Sequence, residues 1–167
     1  MFRIIKKSLK TGVVTGQFPV ARRAEAPLPD ETRAKAKPFR RSLAIREVDT
    51  GSCNACEMEM NALVNPVYDA ERFGIHVAAS PRHADALVVT GPVTVNMERA
   101  LKDAYKQTPD PKIVIALGDC AMNCGVFKGS YAVTGPVERH IPVDLRIAGC
   151  PPRPVEILTA LDELRRR

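Results

Sequence analysis

Short runs of consecutive apolar residues alternate along this chain with segments in which apolar residues recur every three to four positions. Uninterrupted runs of this length are typical of strands buried on both faces of a parallel sheet, and the longer period is typical of amphipathic helices. Most runs are closed by a glycine or proline, which favours a turn. The pattern predicts five strands, over residues 43–48, 75–78, 86–90, 113–117 and 145–148.

Three helices are predicted between and after these strands, over residues 57–64, 94–106 and 154–164. In the second, Met97, Leu101 and Tyr105 recur in steps of four, and Thr94 is the expected N-cap because its side-chain oxygen satisfies a free N–H. Pro154 suits the first turn of the last helix, where its missing N–H has no partner to lose. Strands that alternate with helices predict an α/β fold whose parallel sheet lies between helical layers.

Residues 1–41 do not share this pattern and predict an extended, basic N-terminal arm before a body over residues 42–167. Prolines interrupt the arm, and only Phe2, Ile5 and Leu9 recur at helical spacing, among basic residues. They predict a short amphipathic helix on a membrane surface or in a partner's groove, the alternative being a solvated, frayed terminus. The charge divides in the same way, because the first 46 residues carry 12 Lys/Arg and 3 Asp/Glu, against 13 and 16 in the rest.

Composition excludes several classes of protein. No run reaches the roughly 20 apolar residues of a membrane span. Aromatic residues make up 5% of the chain and Trp is absent, which disfavours a base-stacking platform for single-stranded nucleic acid. No glycine-rich phosphate-binding motif follows a strand, which disfavours dinucleotides and nucleoside triphosphates. Five cysteines without an export signal indicate metal or redox chemistry rather than a disulfide framework.

Four of the five cysteines follow predicted strands. Cys53 and Cys56 come after the first strand, Cys120 after the fourth and Cys150 after the fifth. Sites in open α/β sheets collect outside the carboxyl ends of strands, so we expect these four thiols to converge. Four thiolates hold either a tetrahedral metal or an iron–sulfur cube. Cys124 follows no strand end directly and is interpreted as a small buried apolar side chain.

The spacing of the cysteines favours iron–sulfur over zinc. Zinc ribbons pair two knuckles close in sequence, whereas 29 residues separate Cys120 from Cys150 here. Pro151 follows Cys150 directly, as at the end of ferredoxin-type runs, and it offers the sulfur no N–H. A thioredoxin-like redox pair is the third interpretation, but it would use Cys53 and Cys56 and leave the other two thiols unexplained.

Three motifs resemble the small, cluster-carrying subunit shared by [NiFe]-hydrogenases and respiratory complex I. They are Gly-Ser-Cys-Asn-Ala-Cys-Glu-Met-Glu (51–59), Gly-Asp-Cys-Ala (118–121) and Gly-Cys-Pro-Pro-Arg-Pro (149–154). Residues 84–94 also look like the family's central strand and loop, so the resemblance covers about residues 44–164. It implies a flavodoxin-like three-layer domain that holds one [4Fe–4S] cluster. The family's four ligands map onto Cys53, Cys56, Cys120 and Cys150.

The pair Cys53-x-x-Cys56 is similar to the hydrogenases, because complex I subunits carry adjacent cysteines at this place. The chain also ends soon after the Cys150 motif, without cysteines for further clusters. Both features resemble the membrane-bound, energy-converting hydrogenases, including formate hydrogenlyase and carbon-monoxide-linked relatives. The alternative is the quinone-proximal cluster subunit of a complex I-type enzyme, and the resemblance extends to related complexes that have lost nickel–iron chemistry.

The resemblance implies a non-catalytic electron-transfer subunit of an oxidoreductase complex. Its partners would be a large catalytic subunit, a ferredoxin-like iron–sulfur subunit and integral-membrane subunits, with no nucleic acid. The implied location is peripheral, on the cytoplasmic face of the membrane, with the arm at the membrane surface. Functions of two other classes remain open from the residues alone: a zinc-stabilised module that binds nucleic acid or lipid, and a free-standing flavodoxin-like redox protein.

Two further residues are candidates for tuning the cluster or contacting a partner. Glu59 looks like a family acidic residue beside the cluster, and Arg153 lies in the motif of Cys150. Their ordinary interpretations are a carboxylate stabilised at a helix N-terminus and a solvent-facing arginine between prolines. Of the two helix carboxylates, Glu57 is expected to be the one without a role at the cluster.

Overall fold

A parallel sheet of five strands forms the centre of the computed structural model, which describes residues 29–166. The strands of the described chain are β1 (Leu43–Asp49), β2 (Ile75–Val77), β3 (Ala86–Thr90), β4 (Val93–Thr94), β5 (Ile113–Leu117), β6 (Val133–Gly135) and β7 (Leu145–Ile147). The central sheet has the order β2-β1-β3-β5-β7, which is the flavodoxin-like order. The parallel α/β fold expected from the sequence is confirmed.

Helices cover both faces of this sheet and give the molecule three layers. They are α1 (Asp30–Ala36), α2 (Ala55–Ala62), α3 (Glu98–Gln107), α4 (Asp119–Asn123) and α5 (Pro154–Arg166). The strands supply apolar side chains to both layers, because Ile45 and Val88 belong to the core that includes α2 and α5, whereas Val89 and Val114 belong to the core of α3 and α4. Each fully buried aliphatic side chain stabilises the fold by roughly 1.5–3 kcal/mol.

Strands β4 and β6 pair antiparallel in a second, two-stranded sheet that the sequence pattern does not predict. The expected helix over residues 94–106 is therefore wrong at its start, because Thr94 belongs to β4 and α3 begins at Glu98. Thr94 is also not an N-cap. Its hydroxyl donates to the carbonyl of Thr50 at 2.9 Å and ties β4 to the end of β1.

The expectation of an extended chain before the body is wrong for residues 30–39. There α1 continues into a 3-10 turn, Lys37–Phe39, that packs against the body. Thr32, Ala36 and Phe39 are buried, and the hydroxyl of Thr32 donates to the carbonyl of Asp144 at 3.1 Å. Apolar burial at helical spacing explains the helix. The amphipathic helix predicted around Phe2–Leu9 lies outside the described residues, and the division of the chain at residue 41 stays a prediction.

Candidate metal centre at the sheet edge

The loops that follow β5 and β7 are joined by backbone hydrogen bonds at the carboxyl edge of the sheet. The N–H of Gly118 donates to Ile147 at 2.8 Å, and the N–H of Asp119 donates to Gly149 at 2.9 Å. The Asp119 carboxylate accepts the N–H of Gly149 in return, at 2.9 Å. Because each loop fixes the other, the segments that carry Cys120 and Cys150 are held side by side.

The loop after β1 is folded by its own side chains. The Asp49 carboxylate accepts the N–H groups of Gly51 and Ser52, both at 2.8 Å. The Ser52 hydroxyl accepts the N–H of Asn54 at 2.9 Å and donates to Glu57 at 2.6 Å. These bonds close the turn between β1 and α2, so that Cys53 lies in the turn and Cys56 in the first turn of α2.

Glycines let the three loops approach one another closely. A Cβ atom on Gly118, whose φ is +85°, would lie 2.7 Å from the Sγ atom of Cys56. A Cβ atom on Gly91 would lie 2.4 Å from the backbone nitrogen of Ser52. Since such distances are far below van der Waals contact, only glycine permits these crossings. The loops after β1 and β5 therefore meet at the sulfur of Cys56.

The four thiols act on one another electrostatically. Cys56 is buried, and desolvation raises the pKa of its thiol to about 12, with further contributions from Glu57 and from the thiols of Cys120, Cys53 and Cys150. Burial also raises the pKa of the Cys120 thiol. The backbone N–H of Val126 acts in the opposite direction, because it stabilises the thiolate and lowers this pKa. Charged thiolates this close repel one another unless a positive group neutralises them. This donor set fits a metal group that binds thiolates, because metal binding displaces the thiol protons.

Cys124 differs from the other four cysteines in place and surroundings. It is buried, it ends α4 with a left-handed φ of +68°, and its N–H donates to the carbonyl of Cys120 at 2.9 Å. The thiols that act on Cys56 and on Cys120 do not include it. Within residues 29–166, no three His, Cys, Asp or Glu side chains gather closely enough to hold a single metal ion.

The two predicted tuning residues lie beside the cysteine motifs. Glu59 is partly exposed and follows Cys56 by three residues in α2, a spacing that puts both on one side of the helix. Arg153 is exposed, and its guanidinium pairs with the Glu156 carboxylate at 3.0 Å. The spacing of three between Arg153 and Glu156 is a local signal in the sequence for this ion pair.

Two carboxylates, one buried and one partly buried, were not predicted from the sequence to leave solvent. Glu57, expected to be an ordinary helix carboxylate, is only 9% exposed. Glu47 of β1 is partly buried, and desolvation raises the pKa of its carboxyl to about 7, assisted by the charges of Glu57 and Asp49. The signal for Glu47 was its position two residues after Ile45, on the strand face that enters the core.

Known proteins match this chain over the cysteine motifs. The family described as NADH ubiquinone oxidoreductase, 20 Kd subunit, matches residues 53–164. The chain is 52% identical to the probable membrane-bound hydrogenase subunit mbhJ of Pyrococcus furiosus, over 71% of each chain. It is 47% identical to formate hydrogenlyase subunit 7 of Escherichia coli, over 73% of this chain and 48% of that one. It is 45% identical to an NADH-quinone oxidoreductase subunit of Bacteroides thetaiotaomicron, over 71% of this chain and 60% of that one.

Solved structures give the same result for the fold. A chain of the membrane-bound sulfane sulfur reductase, an archaeal respiratory membrane complex, superposes with a TM-score of 0.66 at 35% identity and covers 80% of this chain and 76% of its own. A chain of the NAD+-reducing [NiFe]-hydrogenase superposes with a TM-score of 0.59 at 21% identity and supports the flavodoxin-like fold alone. Among the described residues, α-helices are too short or too polar to traverse a bilayer.

Proposed function

Because this chain belongs to the family of the 20 Kd subunit of NADH ubiquinone oxidoreductase, we propose that it carries one [4Fe–4S] cluster and relays electrons within a membrane-associated oxidoreductase complex. Its relatives are subunits of hydrogenase, formate hydrogenlyase and NADH-quinone oxidoreductase. The observation that carries the proposal is the meeting of three post-strand loops that bear Cys53, Cys56, Cys120 and Cys150 and whose thiols act on one another.

In this proposal the four cysteines hold the cluster as thiolates, and the bound cluster supplies one-electron chemistry. The chain's own contribution is to orient the cysteine ligands and to shield the site from water. The bonds between Asp119 and Gly149 hold two of the cysteine loops in register. The N–H of Val126 donates to Cys120, and hydrogen bonds to cluster sulfur raise the reduction potential. Burial of Cys56 keeps water from one side of the site.

A protein partner is proposed to cover the other side. Cys53 and Cys150 are exposed, and two large apolar side chains beside the cysteine motifs are exposed as well, Met58 by 66% and Val126 by 81%. Apolar side chains around a functional edge mark a protein interface more often than a solvated surface. We infer that a large catalytic subunit docks here, so that the cluster is the relay nearest to its active site and this chain is not itself catalytic.

The hydrogenase type is favoured over the quinone type by the Cys53-x-x-Cys56 spacing and by the identity to mbhJ and to formate hydrogenlyase subunit 7. A related reductase without hydrogen chemistry is the second candidate, because the chain also superposes on a subunit of a sulfane sulfur reductase complex. Electrons would pass between a ferredoxin-like subunit and the large subunit in either case.

The test is to purify the complex through an affinity tag on this chain and to measure metal content, the EPR spectrum after reduction and the identity of the co-purified subunits. We expect this chain to bind four irons and four sulfides. After reduction by one electron it should give the EPR signal of one [4Fe–4S] cluster. If hydrogen reduces the cluster and the EPR signal appears, the complex is of the hydrogenase type. If only other electron donors produce the signal, the complex is the second candidate. A complex in which this chain binds one zinc and no iron would contradict the proposal.

Removal of residues 2–28 tests the proposed membrane role of the arm. We expect the complex to leave the membrane fraction while the cluster signal is kept, because Thr32, Ala36 and Phe39, which pack against the body, are spared. The measurement is the share of the complex in washed membranes together with EPR intensity per chain. Loss of the cluster in the truncated chain, or unchanged membrane retention, would show that the arm is not a membrane anchor.

A further inference from the structure

A histidine side chain lies between the second sheet and helix α3. The side chain of His140 is only 7% exposed, and its Nδ1 atom lies 3.5 Å from a carboxylate oxygen of Glu98, in the first turn of α3. Its Nε2 atom lies 3.1 Å from the hydroxyl oxygen of Thr134 in β6. The same hydroxyl donates to the carbonyl oxygen of Val93 in β4, at 2.9 Å. The ring therefore belongs to a chain of polar contacts that runs from α3 through both strands of the second sheet.

The donor and acceptor roles in this chain require two protons on the ring. The pKa of the Glu98 carboxyl is lowered, first by the hydrogen bond from Lys102 and then by the charges of Lys102 and His140, so Glu98 is an ionised acceptor. Nδ1 must carry a proton to pair with it. Thr134 has one hydroxyl proton and donates it to Val93, so Nε2 must donate to the Thr134 oxygen. With a proton on each nitrogen, the ring is a charged imidazolium.

A neutral ring cannot keep all of these contacts. The Glu98 carboxylate holds the remaining proton on Nδ1, so Nε2 becomes an acceptor. The Thr134 hydroxyl must then turn its proton away from the Val93 carbonyl and donate to Nε2 instead. Loss of the ring proton thus removes the side-chain hydrogen bond that joins β6 to β4. Because these strands contain only three and two residues, that bond is a large share of what pairs them.

The charged groups of the neighbouring turn are engaged elsewhere. In the 3-10 turn Val137–Arg139, the Glu138 carboxylate pairs with the Arg146 guanidinium. The Arg139 guanidinium is exposed and donates to the backbone carbonyl of Thr134 at 3.2 Å. Both arginines keep their charge at every pH at which the protein is folded. The turn therefore supplies no second group that would change charge together with the ring.

The helices on either side supply no such group either. On α3, the Lys102 ammonium donates to the Glu98 carboxylate at 2.5 Å. From α4, which packs against the turn, the Asp119 carboxylate accepts the N–H of Gly149. In the described chain β4 and β6 have no ionisable side chain. Histidine is the side chain that ordinarily changes charge between pH 5 and 8, so a change in this range acts through the ring.

We propose that His140 is a proton-operated latch for the second sheet. While the ring holds both protons, it binds Glu98 and Thr134, and the Thr134 hydroxyl stays on Val93. When the ring gives one proton to water, the hydroxyl turns to Nε2, and β4 and β6 lose their side-chain bond. This inference goes beyond the proposed function and does not depend on it, because no contact of the latch involves the cluster.

The sheet that the latch closes holds one end of an exposed segment. The N–H of Val95, directly after β4, donates to the carbonyl of Ala132, directly before β6, at 2.9 Å. Next to Ala132, the Tyr131 side chain is fully exposed. At the other end of the segment the N–H of Val126 stabilises the Cys120 thiolate. Opening of the latch therefore loosens the end of this segment that lies away from the cysteine edge.

The direction of the pH effect follows from the charges. Glu98 is ionised throughout the range from pH 5 to 9, so only the ring changes. The folded chain holds the ring in its charged form by pairing it with a carboxylate, and such a contact is present at low pH and is lost as pH rises. The second sheet is therefore expected to be protected at pH 5 and to open more often at pH 9.

The experiment is hydrogen exchange of the purified complex, measured by mass spectrometry at several pH values from 5 to 9. Rates are divided by the chemical exchange rate of an unfolded chain at each pH, so that only protection by structure remains. We expect the protection of residues 93–97 and 130–137 to fall by about threefold to tenfold as pH rises, as for the loss of one hydrogen bond. Residues 86–90 of β3 are the internal reference and should not change.

Four variants test the members of the latch. His140→Gln is uncharged at every pH, so its protection should not depend on pH. Glu98→Gln removes the charge that holds the second proton, so protection should be lost at lower pH than in wild type. Thr134→Ser keeps the hydroxyl and the pH dependence, whereas Thr134→Val should be weakly protected throughout. His76→Gln, at an exposed histidine of β2, is the matched control and should behave like wild type.

Wild-type protection that is independent of pH would overturn the inference, and so would a wild-type pH dependence in His140→Gln. If His140→Gln does not assemble, the Thr134 pair decides, because pH dependence in Thr134→Val equal to that in Thr134→Ser also overturns it. An unshifted transition in Glu98→Gln contradicts the role of the carboxylate. Since none of these readouts uses iron, failure of the latch and failure of the proposed function are distinguishable.

Discussion

Replacing Cys150 with alanine is expected to abolish the [4Fe–4S] EPR signal of the complex and to lower the iron bound by this chain to near zero. Cys150 is exposed at the cysteine edge, on a loop that the Asp119 carboxylate holds beside Cys120. Removing one thiolate leaves a cluster iron without its protein ligand. Iron and sulfide analysis with EPR of the reduced complex measures the loss.

Cys124→Ala is the matched control, because it also removes a thiol near the edge. Its side chain is buried and is not among the thiols that act on Cys56 or Cys120. We expect the cluster to be kept, with stability lowered by ~1 kcal/mol as for an average buried substitution. If Cys124→Ala lost the signal and Cys150→Ala kept it, Cys124 and not Cys150 would be the fourth cluster ligand.

The parallel sheet could be predicted from the sequence because its central strands are nearly pure apolar runs. β3 and β5 have the predicted bounds, since both faces of each are buried and a glycine follows each one. β4 and β6 could not be predicted in this way. They contain two and three residues, and what makes them strands is their pairing with each other across nearly 40 residues of chain. Such short pairings depend on tertiary contacts rather than on local pattern.

The cysteine edge could be predicted for a topological reason. Parallel strands place their carboxyl ends at one edge, so residues that follow β1, β5 and β7 meet whatever the details of the loops. Burial of the carboxylates could not be predicted, because strand alternation put Glu47 on the core face without saying which helix covers that level. The fold of residues 30–39 was missed for a similar reason, since Ala36 and Phe39 make too weak an apolar period without the body that they contact.

Gly118→Ala is expected to prevent cluster incorporation even though it adds a single methyl group. Gly118 combines φ +85° with ψ 158°, a region that other residues occupy at a strain of about 1–3 kcal/mol. The added Cβ would also lie 2.7 Å from the Sγ atom of Cys56, whose side chain is short and buried and therefore cannot swing aside like the end of a long side chain. The sulfur must move from its place, so iron content and EPR intensity per chain should fall by more than tenfold.

Gly129→Ala separates backbone strain from the clash with sulfur. Gly129 has almost the same φ, +86°, but nothing lies within 4 Å of the Cβ that the substitution would add. We expect this variant to lose roughly 1–2 kcal/mol of stability through the left-handed backbone and to keep its cluster. If both variants lost the cluster equally, strain in the loops would govern incorporation. Loss confined to Gly118→Ala means that the close crossing of the β5 loop over Cys56 is what holds the thiol in place for iron.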